Sequence, residues 1–374
     1  MKKIKVLHLT STRYGIGGVE RLLLDMSRKY DLAGFEVAYC NLFCDADGDG
    51  AFPKALKEKG LTSFSIAGSG WSSLPKVLFD LRRLLKREQF DIVHLHMLQA
   101  TVVGSVAAIL GGTKTVLTKH YTDDLSRHIA PIKFADLYFT KRADRIAAIS
   151  EYVKDDMVRL GVDAAKIVNV HNGIDLRAFD ERAAESFDPP YLGSGVIAIG
   201  SVGSLTERKG HRYLIEAMPA VLEMFPTAYL LLIGEGPEEG SLRKLINDLD
   251  LKKNVRMVGF EVNVAPILSA LDVYVHPSVN EPFGISLLEA MAARKCVVAT
   301  NVEGIPEIVV PEETGILIQA GDPSALAGAI IKALEDREAT AIMGQKGRRR
   351  VEELFTIDRA VEMYQDIYRS VLSA

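Results

Sequence analysis

His276-Pro277-Ser278-Val279-Asn280-Glu281-Pro282-Phe283-Gly284-Ile285-Ser286-Leu287-Leu288-Glu289 is the stretch from which the fold can be read. Just before it, Leu271 to Val275 is a short apolar, β-branched run that reads as a buried strand. From Ile285 to Ala293 helix formers follow, with Leu287, Leu288 and Met291 at helical spacing. The segment is therefore strand, turn, helix, with Gly284 just ahead of the helix. A helix N-terminus presents unpaired N–H groups and a partial positive charge, which suits a phosphate or diphosphate, and a glycine lets such a ligand approach the backbone. Glu281 and Glu289 bracket that anion site, and carboxylates accept hydrogen bonds from hydroxyls. A ligand with a diphosphate in the middle and a sugar at each end, a nucleotide sugar, satisfies all three parts. A capped helix with two solvated glutamates accounts for the spacing equally well.

The flanks add a resemblance. Glu281-Pro282-Phe283-Gly284, then Leu288-Glu289-Ala290-Met291-Ala292, Val297-Val298-Ala299-Thr300 and Gly304-Ile305-Pro306-Glu307-Ile308-Val309, resemble the retaining GT-B glycosyltransferases of family 4, whose hallmark is two glutamates spaced as Glu281 and Glu289 are. The resemblance covers essentially the whole chain. It implies an α/β fold of two Rossmann-like, doubly wound domains facing a cleft. It implies transfer with retention of anomeric configuration, no required metal and no cofactor beyond the nucleoside-diphosphate sugar itself.

Length and composition agree with two domains. At 374 residues the chain exceeds what one core usually supports, so two domains of about 180 residues are expected. Hydrophobic residues at 48% and charged residues at 25% are ordinary for a soluble globular protein. A net charge of −4 gives no reason to expect nucleic acid as a partner. Cys40, Cys44 and Cys296 cannot form a fully paired framework and suit a reducing compartment. Lys2 and Lys3 resemble a signal n-region, but Lys5 and His8 interrupt the run after them, and Ile4 onward reads better as a first strand. The longest apolar run, near Val102 to Leu110, is about half of the ~20 residues that a spanning helix needs. The expectation is a cytoplasmic protein, at most peripheral to the inner face of a membrane.

Along the chain, Ile4 to Leu9 reads as a strand, followed by the turn Gly15-Ile16-Gly17-Gly18 and a helix from Val19 to about Ala33. As a dinucleotide fingerprint the turn fails, because the third glycine falls at Glu20. Gly17-Gly18-Val19-Glu20 instead resembles the N-terminal loop of the same transferase family, and a plain tight turn stays open. After a second strand, Phe35 to Leu42, the loop Asp45 to Gly50 invites a calcium reading, which fails because the twelfth position is Leu56. An Asp-x-Asp metal motif fails too, since the nucleotide site lies elsewhere, leaving a solvated acidic loop. Leu74 to Glu88 is an amphipathic helix, with Leu78, Leu81, Leu84 and Leu85 on one face and Lys76, Arg82, Arg83, Lys86 and Arg87 on another. It reads as a surface helix or as a basic face for an anionic membrane or acceptor.

In the strand Asp91 to His96, His94 and His96 share one face, and no third ligand is evident beside them. Another strand, Lys114 to Lys119, ends at His120, where ligands bind in open α/β sheets. Arg145 to Ile149, Ser150 to Leu160 and Lys166 to Val170 then lead to Asn172-Gly173-Ile174-Asp175, which resembles the family's signature ending its first domain. The breaker-rich stretch from Asp188 to Gly195 is read as the boundary, giving an N-terminal domain over 1–190 and a donor domain over 191–355. A last helix, 356–374, is expected to cross back to the first domain.

The donor domain opens with the strand Val196 to Val202 and a loop carrying Arg208, Lys209 and Gly210, where cations could meet a diphosphate. Strands ending at Gly234 and at Gly259-Phe260 follow. Departures from the family pattern are Ser204 where arginine is common, Arg294 for glycine, Cys296 for proline and Glu303 for the first of a glycine pair. Eight residues of helix rise about 12 Å, so Glu281 and Glu289 do not form a glycosidase pair, which needs about 5–9.5 Å. The resemblance implies that Glu281, His120, Lys209 and Arg208 carry the chemistry. Glu289, Gly284, Phe283, Ile285, Ser286, Gly17, Gly18, Gly234 and Phe260 are expected to line the donor. A UDP-sugar is expected first and GDP-mannose next, with a glycan, lipid-linked or small-molecule acceptor. A sugar-nucleotide epimerase, a phosphorylase and a non-catalytic nucleotide-sugar-binding protein are the rival readings. Lys209→Ala is expected to cut turnover and leave folding intact.

Overall fold

A computed structural model of the chain describes residues 3–11, 17–44, 50–69, 71–121, 130–187, 189, 192–193 and 195–373. Gly15, the acidic loop 45–49 and residues 122–123 lie outside the described residues. By contact the chain divides into two units, Met1–Asn172 with Ile357–Ala374, and Gly173–Thr356.

The first unit contains the strands β1 (Ile4–Thr10), β2 (Phe35–Cys44), β3 (Ser63–Ala67), β4 (Ile92–His96), β5 (Lys114–Lys119), β6 (Arg145–Ala148) and β7 (Ile167–Asn169). Between them run the helices α1 (Gly18–Met26), α2 (Ala51–Glu58), α3 (Leu74–Glu88), α4 (Leu98–Gly111), α5 (Ala130–Arg142) and α6 (Glu151–Arg159). The second unit contains α7 (Leu176–Ala183), β8 (Ile197–Val202), α8 (His211–Met224), β9 (Ala228–Ile233), α9 (Glu239–Asp248), β10 (Val255–Gly259) and α10 (Ala265–Ala270). It continues with β11 (Val273–His276), α11 (Ile285–Ala292), β12 (Cys296–Thr300), α12 (Ile305–Ile308), β13 (Gly315–Ile318), α13 (Pro323–Glu335) and α14 (Arg337–Leu354). The last helix, α15 (Ile357–Ser373), belongs to the first unit.

The sheets run β3-β2-β1-β4-β5-β6-β7 and β10-β9-β8-β11-β12-β13, and every strand pair is parallel. Parallel strands are covered on both faces, which is why β4 and β12 are buried throughout. Strand order reverses between β1 and β4 in one unit and between β8 and β11 in the other. Doubly wound sheets bind ligands beyond the strand ends at such reversals.

α15 buries Ile357, Val361, Tyr364, Tyr368 and Val371, a helical stripe, against Val6, Ile92 and Val116 of the first sheet. The division falls at Asn172/Gly173, ahead of the breaker-rich stretch that the sequence offers as the boundary. The reason is α7, which packs on α10 and α11. Buried Arg348 holds it there with two 2.7 Å bonds to Asp180. α1 stops at Met26 rather than near Ala33, where the Ser27 hydroxyl bonds back to the Leu24 carbonyl at 2.6 Å.

Candidate functional site

In the second unit the loops after β8 and β11 meet at the reversal. Residues Glu207–Lys209 form a single 3-10 turn, and Gly210 follows with φ 66°. A Cβ on Gly210 would lie 2.0 Å from the Pro277 carbonyl oxygen, so only glycine allows this approach. The backbone then stitches the loops together: Val279 N–H donates to the Arg208 carbonyl at 2.8 Å. This brings the Lys209 ammonium onto Oε2 of Glu281, 72 positions away in the chain.

His276 Nε2 lies 2.9 Å from the same oxygen, and Ser278 Oγ lies 3.4 Å from it. Glu281 is only 6% exposed. Burial by itself raises its carboxyl pKa, but the Lys209 charge and the His276 bond prevail and hold it well below the usual carboxylate range. The other oxygen, Oε1, has no partner among the described residues. Arg208 differs from Lys209, since its guanidinium reaches only the Asn280 carbonyl, at 3.4 Å, among the described residues. His276 stays neutral because burial lowers its pKa. His211 at the start of α8 is buried too, pushed down to about 3.

Gly284 takes φ 107° at the N-cap of α11, which has no side-chain cap, and half-buried Ile285 and Ser286 form its first turn. Glu289 is half-buried one turn further along. Gly234 ends β9, where its N–H donates to the Gly259 carbonyl at 2.8 Å, and Phe260 beyond β10 is 59% exposed. Phe283 departs from expectation. Its ring is 2% exposed and sits edge-on to Phe355 at 6.0 Å, so it belongs to the core and presents no face to a ligand.

Two of the sequence departures fall at special backbone. Arg294 has φ 59° and Glu303 φ 45°, so both occupy left-handed positions that glycine adopts without strain. Glu303 also accepts from Asn280 Nδ2 at 2.5 Å. Cys296 is buried at the start of β12.

The first unit assembles a different group. His8 on β1 is in register with His94 on β4, so His8, His94 and His96 lie together, and half-buried His120 follows at the end of β5. The expectation that His94 and His96 lack a third histidine is therefore corrected: ligand atoms of His8, His94 and His96 lie within 4.8 Å of one another. These nitrogens are nevertheless engaged with one another and with hydroxyls, as His8 Nδ1 is with His96 Nε2 at 2.9 Å. Gly17 and Gly18 are exposed at the start of α1, where Gly17 N–H donates to buried Glu20 at 3.0 Å.

Sequence reasoning missed His276 and Ser278 as partners of Glu281, although both lie in the stretch that it singled out. The signal was their proximity to Glu281 on a strand end, but only the fold shows that they share its oxygen.

Comparison with known proteins meets this geometry. Residues 187–350 match the model for glycosyl transferases group 1, and residues 16–178 match that for Glycosyltransferase Family 4. The chain is a glycosyltransferase. The transferase is 29% identical over 301 residues to an N-acetyl-alpha-D-glucosaminyl L-malate synthase of Bacillus anthracis, covering 78% of each chain. It is 28% identical over 366 residues to a phosphatidyl-myo-inositol mannosyltransferase of Mycobacterium leprae, covering 95% of this chain and 94% of that one. Among solved structures it resembles Anabaena HepE in complex with UDP-glucose, with a TM-score of 0.84 at 22% identity, covering 99% of this chain and 100% of that one. That likeness shows the shared GT-B fold, two Rossmann-like units in one chain.

Proposed function

We propose that the transferase is a retaining, metal-independent member of family 4. In this reading it moves a sugar from a nucleoside-diphosphate sugar, a UDP-sugar first and GDP-mannose next, to a glycan, lipid-linked or small-molecule acceptor in cell-surface polysaccharide or glycolipid synthesis. The observation that carries the reading is Glu281, buried on Lys209 and His276 at the β8/β11 reversal, ahead of the uncapped N-terminus of α11. Oε1 of Glu281 is available to donor-sugar hydroxyls, and Lys209 and His276 hold the carboxylate ionised for that purpose. Arg208, Lys209 and the amides after Gly284 offset the developing charge on the leaving diphosphate, which fixed positive groups stabilise in the transition state. Glu289 takes the nucleotide ribose, exposed Phe260 the base, and His120 the donor sugar. Retention follows from the family resemblance, with the departing phosphate deprotonating the acceptor. The Anabaena neighbour's UDP-glucose supports the preference for uridine, and the lipid in the mycobacterial relative's name supports a lipid-linked acceptor.

A thermal-shift panel of nucleoside diphosphates and nucleotide sugars in EDTA, repeated with magnesium, tests this. A ligand bound only by the folded state raises Tm. The expected result is a shift in EDTA with one nucleotide, larger with one of its sugars. No shift with any nucleotide contradicts the reading.

Among the described residues no helix is long and apolar enough to cross a membrane. Peripheral contact with an anionic membrane fits α3, α4 and α5, where α4 packs against both neighbours. Phe79, Ile109, Leu110 and Phe134 are exposed on these helices, and so are Arg82, Arg83, Lys86 and Arg87 on α3. Apolar anchors next to basic residues suit an acidic lipid surface. Changing the four basic residues to Gln is expected to release the protein from phosphatidylglycerol vesicles; unchanged binding defeats the assignment.

A further inference from the structure

Four histidines of the first unit, His8, His94, His96 and His120, belong to one hydrogen-bonded chain. His120 Nε2 meets His96 Nδ1 at 3.0 Å, His96 Nε2 meets His8 Nδ1 at 2.9 Å, and His8 Nε2 meets the Tyr30 hydroxyl at 3.0 Å and that of Tyr368 at 3.5 Å. Tyr368 in turn meets His94 Nδ1 at 2.6 Å, and His94 Nε2 meets Thr118 Oγ1 at 2.6 Å. Seven of the eight ring nitrogens are thus occupied. The exception is Nδ1 of half-buried His120, which has no partner among the described residues.

Burial lowers the pKa of all four rings, to about 3 for His8 and about 4 for His120, so each is neutral and offers one donor and one acceptor. A chain of such groups has a direction, and its inner end sets it. The Thr118 hydroxyl donates to Tyr364 at 3.2 Å, which leaves its oxygen to receive His94 Nε2–H. His94 Nδ1 then receives the Tyr368 proton, and the Tyr368 oxygen can only accept. Tyr30 O–H, a hydrogen-bond partner of Tyr368, and His8 Nε2–H fill it. The opposite polarity leaves one donor, Tyr30 O–H, for two buried acceptors, the Tyr368 oxygen and a bare His8 Nε2. With His8 protonated at Nε2, its Nδ1 accepts from His96 Nε2–H, and His96 Nδ1 accepts from His120 Nε2–H.

We propose that His8, His96, Tyr30, Tyr368, His94 and Thr118 are positioning residues that hold His120 as its Nε2–H tautomer, so that Nδ1 presents a bare lone pair to a ligand hydroxyl. The network has no proton sink at its inner end, so His120 binds the hydroxyl and does not remove its proton. That the hydroxyl belongs to a donor sugar rests on the proposed function; the tautomer does not.

The test is a long-range 1H–15N correlation spectrum of the full chain labelled at histidine, without ligand, with the His120 signals identified by their loss in His120→Asn. The expected result is a pyrrole-type Nε2 and a pyridine-type Nδ1. An Nδ1–H tautomer, or averaged shifts for the two nitrogens, overturns the proposal; the tautomer is read on the wild type, and His120→Asn serves only to pick out its signals. His96→Gln keeps an acceptor toward His120 and a donor toward His8, so it is expected to preserve the tautomer. His96→Leu is expected to average the His120 shifts and to lower kcat/KM for the donor about tenfold, the scale of one hydrogen bond, with Gln restoring most of it. Equal losses in Leu and Gln, with the wild-type tautomer retained in both, assign the histidines to packing alone and contradict the proposal. The expected tautomer with no turnover of any nucleotide sugar upholds the network and sinks the functional reading instead.

Discussion

The two units present the same architectural opportunity, a reversal of strand order in a parallel sheet, and bury different chemistry there. At β8 and β11 the second unit buries charge: Lys209 on Glu281, with neutral His276 bonded to the same oxygen. At β1 and β4 the first unit buries His8, His94 and His96 as neutral rings, with His120 as the outer end of their chain. Fixed charge suits a leaving diphosphate whose charge grows during the reaction. Neutral, directional hydrogen bonds suit a hydroxyl that stays uncharged. The difference teaches that a reversal supplies a crevice, while the residues on the strand ends decide what kind of ligand atom it holds.

The largest effect comes from breaking the charged side. Lys209→Ala is expected to lower kcat by about a thousandfold, the scale for lost transition-state charge stabilisation. Against the reading from the sequence alone, it is expected to destabilise the fold as well, because it strands a buried carboxylate. Breaking one partner of a buried pair costs about 3 kcal/mol or more, readable in urea unfolding. Lys209→Met combined with Glu281→Leu removes both charges, and it is expected to recover stability without recovering turnover. Recovery of both would make the pair structural only.

Acid sharpens the contrast. A histidine whose folded pKa is depressed contributes stability above its unfolded pKa of about 6.5, and that stability is lost as pH falls. Among the described residues the first unit holds four such rings (His8 and His120 at about 3 and about 4), and the second holds His211 and His276. Glu281 is also depressed, but its contribution is lost only below the ordinary carboxylate range. Between pH 6.5 and 4.5, hydrogen exchange is expected to show the first unit losing protection before the second. The reverse order contradicts the assignment of buried neutral rings.

The smallest effect tests the backbone beyond the C-terminal end of α11. Arg294→Gly is expected to raise stability by up to about 1 kcal/mol, by removing a side chain from left-handed backbone. A loss of stability on urea unfolding would mean that the Arg294 side chain contributes more than its strained backbone costs.

Much of the fold was legible because apolar periodicity marks parallel α/β elements strongly. Leu74–Glu88 and Lys114–Lys119 coincide with the elements read from the sequence. The α1 terminus was not, since the residues after Met26 continue a helical composition and only the Ser27 bond marks the stop. The boundary misled because glycine and proline mark a break in local structure, whereas Arg348 and Asp180 assign α7 to the second unit through a contact 168 positions apart. At the site, Glu281, Arg208 and Lys209 were recognisable as types, but the pairing of Lys209 with Glu281 depends on two loops meeting. Alternation placed His94 and His96 on one face. His8 joined them only through sheet order, which no local pattern encodes.

The central claim is that the second unit's charged reversal binds a nucleoside diphosphate without metal. Titration calorimetry of UDP in EDTA, on the wild type and on Arg208→Ala, tests it most directly. The account predicts binding in EDTA that magnesium leaves unchanged and that Arg208→Ala weakens by tenfold or more, about the loss of a charge-assisted contact. Binding that needs magnesium, or that is indifferent to Arg208, contradicts it.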